Sequence, residues 1–153
     1  MAEGAKRVTI LGSTGSIGRQ TLEVIASQPA LRACALAAGR NWKLLAEQAR
    51  RFAPEVVALA DEAAAGSFRA AVPDVEVLSG PDALRELVRR SRPDVLLTAV
   101  VGSAGLAPTL EGIRSGATLA IANKETLVMA GALVMPAARD AGAAGRRRAH
   151  DRA

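Results

Sequence analysis

Three short polar stretches carry residue types that could do chemistry: residues 12–18, residues 39–41 and residues 123–126. The first reads Gly12-Ser13-Thr14-Gly15-Ser16-Ile17-Gly18 and follows the apolar run Val8-Thr9-Ile10-Leu11. A buried strand feeding a glycine turn that opens a helix is the arrangement of a dinucleotide pyrophosphate site. Amides at a helix start are unpaired and partly positive, so they accept phosphate oxygens. Glycines let the backbone turn tightly and approach the ligand. The spacing G-x-x-G-x-x-G is a variant of the usual G-x-G-x-x-G, so its strand–turn–helix context carries the argument. The alternative is a glycine-rich turn that binds nothing. A nucleoside-triphosphate loop is excluded, because no Gly-Lys-Ser/Thr follows.

The second stretch, Gly39-Arg40-Asn41, ends the apolar run Ala33–Ala38. An NAD-selective site places an acid near this point to take the ribose 2′-hydroxyl. Here no acid occurs before Glu47, and Arg40 could pair with a 2′-phosphate or stack on adenine. The expectation is NADP rather than NAD, against a solvated surface role for Arg40. Thr14, Ser16 and Ile17 are expected to supply phosphate-binding amides and hydroxyls. Ser13 either does the same or caps the helix. In the third stretch, Lys124 between Asn123 and Glu125 could meet a substrate phosphate or hydroxyl, or polarise a carbonyl as hydride arrives. The competing reading is a solvated lysine beside an ordinary N-terminal acid.

Positioning these turns requires strands that alternate with helices. Strands are expected at residues 8–11, 33–38, 56–59, 76–78, 95–101 and 118–122. Helices are expected at 16–27, 42–52, 62–71, from Pro81 to before Pro93, at 108–115, and from 123 beyond Met135. On the first helix, Ile17, Thr21, Val24 and Ile25 share one face; on the second, Trp42, Leu45, Ala49 and Phe52 do. Unalternating apolar strands are buried on both sides. The fold class is therefore α/β: a Rossmann-like, doubly wound, mostly parallel sheet with helices on both faces. The three polar turns converge at the carboxyl ends of its strands.

Composition bounds the rest. The chain has 153 residues, half of them hydrophobic but only 2% aromatic, so its core is aliphatic. The net charge of +5 is misleading, because Arg146, Arg147, Arg148 and Arg152 against Asp151 place +3 of it in the last eight residues. Nucleic acid and membrane partners are not expected. An arginine arm for nucleic acid lacks any aromatic stacking platform. No apolar run reaches the roughly 20 residues of a membrane span. Cys34 is the single cysteine, which fits a reducing cytoplasm and a buried structural thiol.

The motifs VTILGSTGSIGRQTLEVI, AAGRN, the LSG at 78–80, VVGSAGLAPTLEGIRSG and ANKETLV, taken together and in order, resemble the 1-deoxy-D-xylulose 5-phosphate reductoisomerase family over about residues 6–144. The resemblance implies conversion of 1-deoxy-D-xylulose 5-phosphate to 2-C-methyl-D-erythritol 4-phosphate, with NADPH and a divalent metal (Mg or Mn), on the non-mevalonate route to isoprenoids. It implies that Thr14, Gly15, Ser16 and Ile17 form the NADPH phosphate turn, that Gly39, Arg40 and Asn41 form the 2′-phosphate turn, that Asn123 and Glu125 bind cofactor, and that Lys124 contacts the sugar-phosphate substrate. A homodimer in the cytoplasm is implied too.

The family pattern breaks after Ala144. An apolar strand and an Asp-Ser-Glu metal segment are expected there, but the chain reads Gly145-Arg146-Arg147-Arg148-Ala149-His150-Asp151-Arg152-Ala153. The neighbouring His150 and Asp151 do not make an oxygen cage for a hard metal. The expected organisation is an NADPH-binding domain over 1–144 and an aberrant arginine-rich tail over 145–153, with the catalytic and C-terminal domains absent through truncation or a frameshift. No catalytic residue and no metal ligand is expected within the chain, and it should lack activity alone. The alternative function is a stand-alone NADP-binding regulatory module.

Overall fold

The computed structural model describes residues 4–122 together with the backbone of residues 145 and 146. Its order is β1 (Lys6–Leu11), α1 (Ser16–Ser27), β2 (Leu31–Ala38), α2 (Trp42–Phe52), β3 (Val56–Leu59), α3 (Glu62–Ala71), β4 (Glu76–Ser79), α4 (Ala83–Ser91), β5 (Val95–Thr98), a 3-10 turn (Gly102–Gly105), α5 (Leu106–Arg114), β6 (Thr118–Ile121) and β7 (Gly145–Arg146). The strands form one sheet in the order β4-β3-β2-β1-β5-β6-β7, and every neighbouring pair is parallel.

Successive residues of a strand point to opposite faces, so each apolar strand feeds two cores. Val8 and Ile10 of β1 join Leu22 and Ile25 of α1, Leu45 and Ala49 of α2, and Phe68 of α3. Leu11 joins Ala83, Leu87 and Val88 of α4 and Ile113 of α5. Helices thus cover both faces, as the doubly wound expectation requires. Gly112 lets α5 lie close on the second face: a β-carbon there would stand 2.6 Å from Cδ2 of Leu96. Thr9 and Cys34 sit under α4, where the Thr9 and Ser91 hydroxyls lie 2.7 Å apart and the Cys34 thiol is 3.3 Å from the Val8 carbonyl. Burial pushes the Cys34 thiol pKa up, so it stays protonated and structural.

Helix boundaries follow local chemistry. Asn41 caps α2, accepting a hydrogen bond from the Leu44 N–H, and Asp61 caps α3 through the N–H groups of Ala63 and Ala64. α2 and α4 end on Ala53 and Arg92, both left-handed, each followed by a proline that cannot continue the helix.

Apart from shifts of one or two residues at element ends, such as the earlier starts of β1 and β2, four details differ from the sequence expectation. On α1 the buried residues are Gly18, Leu22 and Ile25, whereas Val24 is 49% exposed. Ile25 of the expected face is buried and Ile17 packs on the core, so only Val24 departs from it, while Gly18 seats against the preceding turn. β5 stops at Thr98 instead of reaching 101: its last rung is the Ala99 N–H to the Leu11 carbonyl, after which the chain leaves the sheet and Val101 is 84% exposed. α5 starts at Leu106, with Pro108 in its first turn, where a missing N–H needs no partner. Finally, Gly145 and Arg146 pair with Leu119 and Ala120 as a two-residue strand at the sheet edge, where the sequence reading expected none. Backbone pairing places no demand on side-chain type, which is why apolarity was a poor guide there.

Candidate dinucleotide-binding site

The strand order sets the site. Connections from β1 lead toward β4 and those from β5 lead toward β7, so β1 and β5 flank the switch point of the sheet. In open α/β sheets the crevice for a ligand lies there, beyond the carboxyl ends of the strands. The glycine turn occupies that point.

Its three glycines have different duties. Gly12 has φ of 94°, and a β-carbon on it would lie 2.7 Å from the Ala99 carbonyl oxygen. Gly18 lets the first turn of α1 rest on the loop. Among the described residues, a β-carbon on Gly15 would meet nothing closer than the Gly12 oxygen at 3.7 Å, and Gly15 is exposed, so the space beside it is open. Gly15 is also the N-cap of α1; it offers no side-chain acceptor, and no acid stands in the first turn. α2 and α3, by contrast, are capped by their own side chains. The start of α1 therefore presents amides and positive dipole without an internal anion. Ser16 is exposed beside it, and Thr14 and Ile17 are half-buried at its rim.

The second turn stands close by through β2. The Ala37 carbonyl accepts the N–H groups of Gly12 and Ser13 at 2.9 and 2.8 Å, and Gly39 lies two residues further along the chain, just past the end of β2 at Ala38. Gly39, Arg40 and Asn41 are exposed. Among the described residues, no carboxylate is within ion-pair distance of Arg40. Asn41 Oδ1 caps α2 at 3.2 Å from the Leu44 nitrogen, and among the described residues its NH2 group has no hydrogen-bond partner.

Ser13 departs from both readings offered for it. It is buried; its hydroxyl donates to Gln48 Oε1 at 2.8 Å, and Gln48 Nε2 donates back to the Ser13 carbonyl at 2.9 Å. It neither caps α1 nor faces the crevice. Gln48 is a residue the sequence reading missed. The signal was present, because Leu45, Gln48, Ala49 and Phe52 form one helical stripe in which a single polar residue is enclosed by apolar ones.

Asn123, Lys124 and Glu125 lie outside the described residues, as do the helix expected from 123 and, beyond its two paired residues, the arginine-rich tail. Among the described residues no group of three or more His, Cys, Asp or Glu stands together as a metal site, and no helix is long and apolar enough to cross a membrane. A depression of about 820 Å³ lies at the other end of the sheet, lined by Lys6, Arg92, Asp94, Glu111 and Thr118. It is open and charged, and remote from both turns.

Known proteins with this architecture are similar in sequence as well. The 1-deoxy-D-xylulose 5-phosphate reductoisomerases of Synechococcus and Chloroherpeton thalassium are 46% and 49% identical to the chain over 136 and 133 residues, covering 86% and 84% of it. That of Burkholderia cenocepacia is 48% identical over 143 residues. The chain spans about a third of these relatives, 34 to 36% of their length. Among solved structures, the reductoisomerase of Zymomonas mobilis in complex with NADPH superposes with a TM-score of 0.88 at 39% identity, over 94% of this chain and 38% of that one. A reductoisomerase in complex with NADPH, fosmidomycin and magnesium gives 0.86 at 34% identity, over 93% of this chain and 36% of the other. A biliverdin reductase from Synechocystis, 16% identical at a TM-score of 0.57, shares the fold alone. With residues 8–131 also matching the family's own sequence model, the chain belongs to the 1-deoxy-D-xylulose 5-phosphate reductoisomerase family.

Proposed function

We propose that this chain binds NADPH and supplies the cofactor-binding portion of a 1-deoxy-D-xylulose 5-phosphate reductoisomerase. The observation that carries the reading is the pairing of two anion-ready points on adjacent strands. The uncapped start of α1, opened by Gly15, receives the pyrophosphate. Arg40, without an ion-pair partner among the described residues, receives the 2′-phosphate. Thr14, Ser16 and Ile17 bound the first point, and Gly39 and Asn41 the second. The similar enzyme from Zymomonas mobilis was solved with NADPH, which supports the same ligand here.

The bound cofactor supplies a hydride for reduction of a sugar-phosphate carbonyl. The residues of this chain do the holding. In our reading Asn123 and Glu125 complete the cofactor site and Lys124 meets the substrate. The complete enzyme converts 1-deoxy-D-xylulose 5-phosphate to 2-C-methyl-D-erythritol 4-phosphate in the cytoplasm, as a homodimer. Relatives were solved with magnesium. The described residues do not fit such an ion, because they offer no carboxylate cluster.

Isothermal titration of the purified 153-residue chain with NADPH and with NADH tests the proposal. NADPH should bind at least about tenfold more tightly, the worth of one charge-assisted contact to the 2′-phosphate. Absence of NADPH binding by a folded chain overturns it. The same chain, supplied with substrate and magnesium, is expected to leave NADPH unoxidised.

A further inference from the structure

We infer that Gln48 is the positioning residue of the glycine turn, holding Ser13 so that the two phosphate-binding points keep a fixed separation. The inference rests on the NADPH reading above and extends it to a residue outside the crevice. Ser13 is fully enclosed, and Gln48 is only 7% exposed. Every polar group of Ser13 is committed. Its N–H donates to the Ala37 carbonyl at 2.8 Å, its hydroxyl to Gln48 Oε1 at 2.8 Å, and its carbonyl accepts from Gln48 Nε2 at 2.9 Å. The orientation of the Gln48 amide is dictated, because a carbonyl oxygen can face only the NH2 end.

These contacts join three elements. Ala37 belongs to β2, Gln48 to α2, and Ser13 to the turn between β1 and α1. α2 is the helix whose start carries Arg40 and Asn41. Gln48 stands two turns along that helix, so its amide links the scaffold of the 2′-phosphate turn directly to the backbone of the pyrophosphate turn. An apolar side chain of similar size would fill the space but leave the hydroxyl and carbonyl of Ser13 buried without partners. The turn would then relax away from the geometry that a dinucleotide needs. Gln48 touches neither ligand nor reacting atoms; it acts through Ser13.

Two variants separate positioning from packing. Gln48→Met keeps the volume and deletes both bonds. Gln48→Glu, when protonated, restores both, because its O–H donates to the Ser13 carbonyl while its other oxygen accepts from the hydroxyl. When ionised it repels that carbonyl. Amide hydrogen exchange in the ligand-free chain reads the effect on Gly12 and Ser13, the two N–H groups bonded to Ala37, relative to the wild type at the same pH and to core amides of β2. NADPH titration follows in parallel.

Gln48→Met is expected to lower protection at Gly12 and Ser13 and raise the NADPH Kd, each about tenfold, with β2 amides unchanged. Gln48→Glu should behave like Gln48→Met at pH 8 and approach the wild type near pH 5. Wild-type protection at Gly12 and Ser13 in Gln48→Met overturns the inference, as does a Gln48→Glu variant equally loosened at both pH values. If Gln48→Met does not fold, Ser13→Ala, which deletes one bond and keeps the other, carries the same comparison. A wild-type chain that fails to bind NADPH overturns the proposed ligand instead, and the exchange data alone then decide whether Gln48 holds the turn.

Discussion

A β-carbon on Gly18 would lie 2.2 Å from the carbonyl oxygen of Gly12 and 2.6 Å from the Cα of Ser13. The first turn of α1 is thus pressed directly onto the loop that precedes it. Both neighbours are backbone and cannot rotate away as a side-chain end could. Gly18→Ala must therefore displace the helix start, at a cost of about 1–3 kcal/mol in line with other overpacked sites. Gly15 makes a clean contrast. Its nearest obstacle is at 3.7 Å, so Gly15→Ala should cost under about 1 kcal/mol, while the added methyl crowds any bound phosphate. Urea denaturation should therefore show the larger loss in Gly18→Ala, while NADPH titration should show weakened binding in both variants, in Gly15→Ala without a matching loss of stability. Equal stability losses would remove the distinction.

Arg40 is exposed and, among the described residues, holds no ion pair. Its removal should leave folding almost untouched, within about 0.5 kcal/mol as for other surface sites. A charge-assisted contact to a 2′-phosphate is worth about 1.5–3 kcal/mol, so Arg40→Ala should weaken NADPH by roughly 10- to 100-fold and NADH hardly at all. Arg40→Asp should go further and reverse the preference, because a carboxylate repels the 2′-phosphate and accepts from a 2′-hydroxyl. Unchanged NADPH affinity in Arg40→Asp would take Arg40 out of the site.

The order of strands and helices up to β6 could be read from the sequence because most of those strands are short apolar runs bounded by glycine, proline or polar residues. Ala33–Ala38 and Val56–Leu59 are both of this kind, and both are fully buried. Periodicity alone put Val24 on the buried face of α1 alongside Ile17 and Ile25, because Gly18, which seats against the preceding loop, carries no hydrophobic signal. Ser13 failed for a related reason. A serine after a glycine at a helix start suggests a cap or a phosphate donor, and only the packing of α2 over the turn decides that Gln48 takes its hydroxyl. The run Val95–Val101 is apolar but for Thr98, yet the sheet uses it only to Thr98, with the Ala99 N–H to the Leu11 carbonyl as the last bond to β1. Local chemistry named the turns. Their third dimension came from helices far along the chain.

Asn41 combines a cap with a place beside the phosphate-binding arginine, and two substitutions separate these duties. Asn41→Ala loses the bond to the Leu44 N–H and should cost about 1 kcal/mol of stability. Asn41→Asp keeps an acceptor at the cap and adds a negative charge that suits a helix start, so stability should hold or rise slightly. That same charge stands next to Arg40 and should weaken NADPH by several-fold, an effect that fades as salt screens it. A variant Asn41→Asp with wild-type NADPH affinity at low salt would place the side chain away from the 2′-phosphate.

At the opposite end of the sheet, Glu55 draws together the starts of three strands. It accepts from Arg7 of β1 at 3.1 Å, Arg32 of β2 stands 3.5 Å away, and β3 begins at the next residue. Arg7 also donates through Nε to the Ser91 carbonyl at 3.2 Å, tying in the end of α4. The hydrogen bond from Arg7 is the chief reason that the Glu55 carboxyl titrates below the usual range; attraction to Arg7 and Arg32 adds to it, and partial burial opposes it. A carboxyl whose pKa is depressed by folding binds its proton more weakly in the native state than in the unfolded one. Its contribution is therefore complete above the ordinary glutamate pKa of about 4.3 and disappears as pH falls through the lower native value. Because Glu55 is 45% exposed, the contribution should be under about 1 kcal/mol. Glu55→Gln should accordingly be less stable than the wild type at pH 7 and converge with it in acid. Urea denaturation of both at pH 7 and pH 3 measures the difference, and a gap that stays constant with pH would show that the charge of Glu55 contributes nothing.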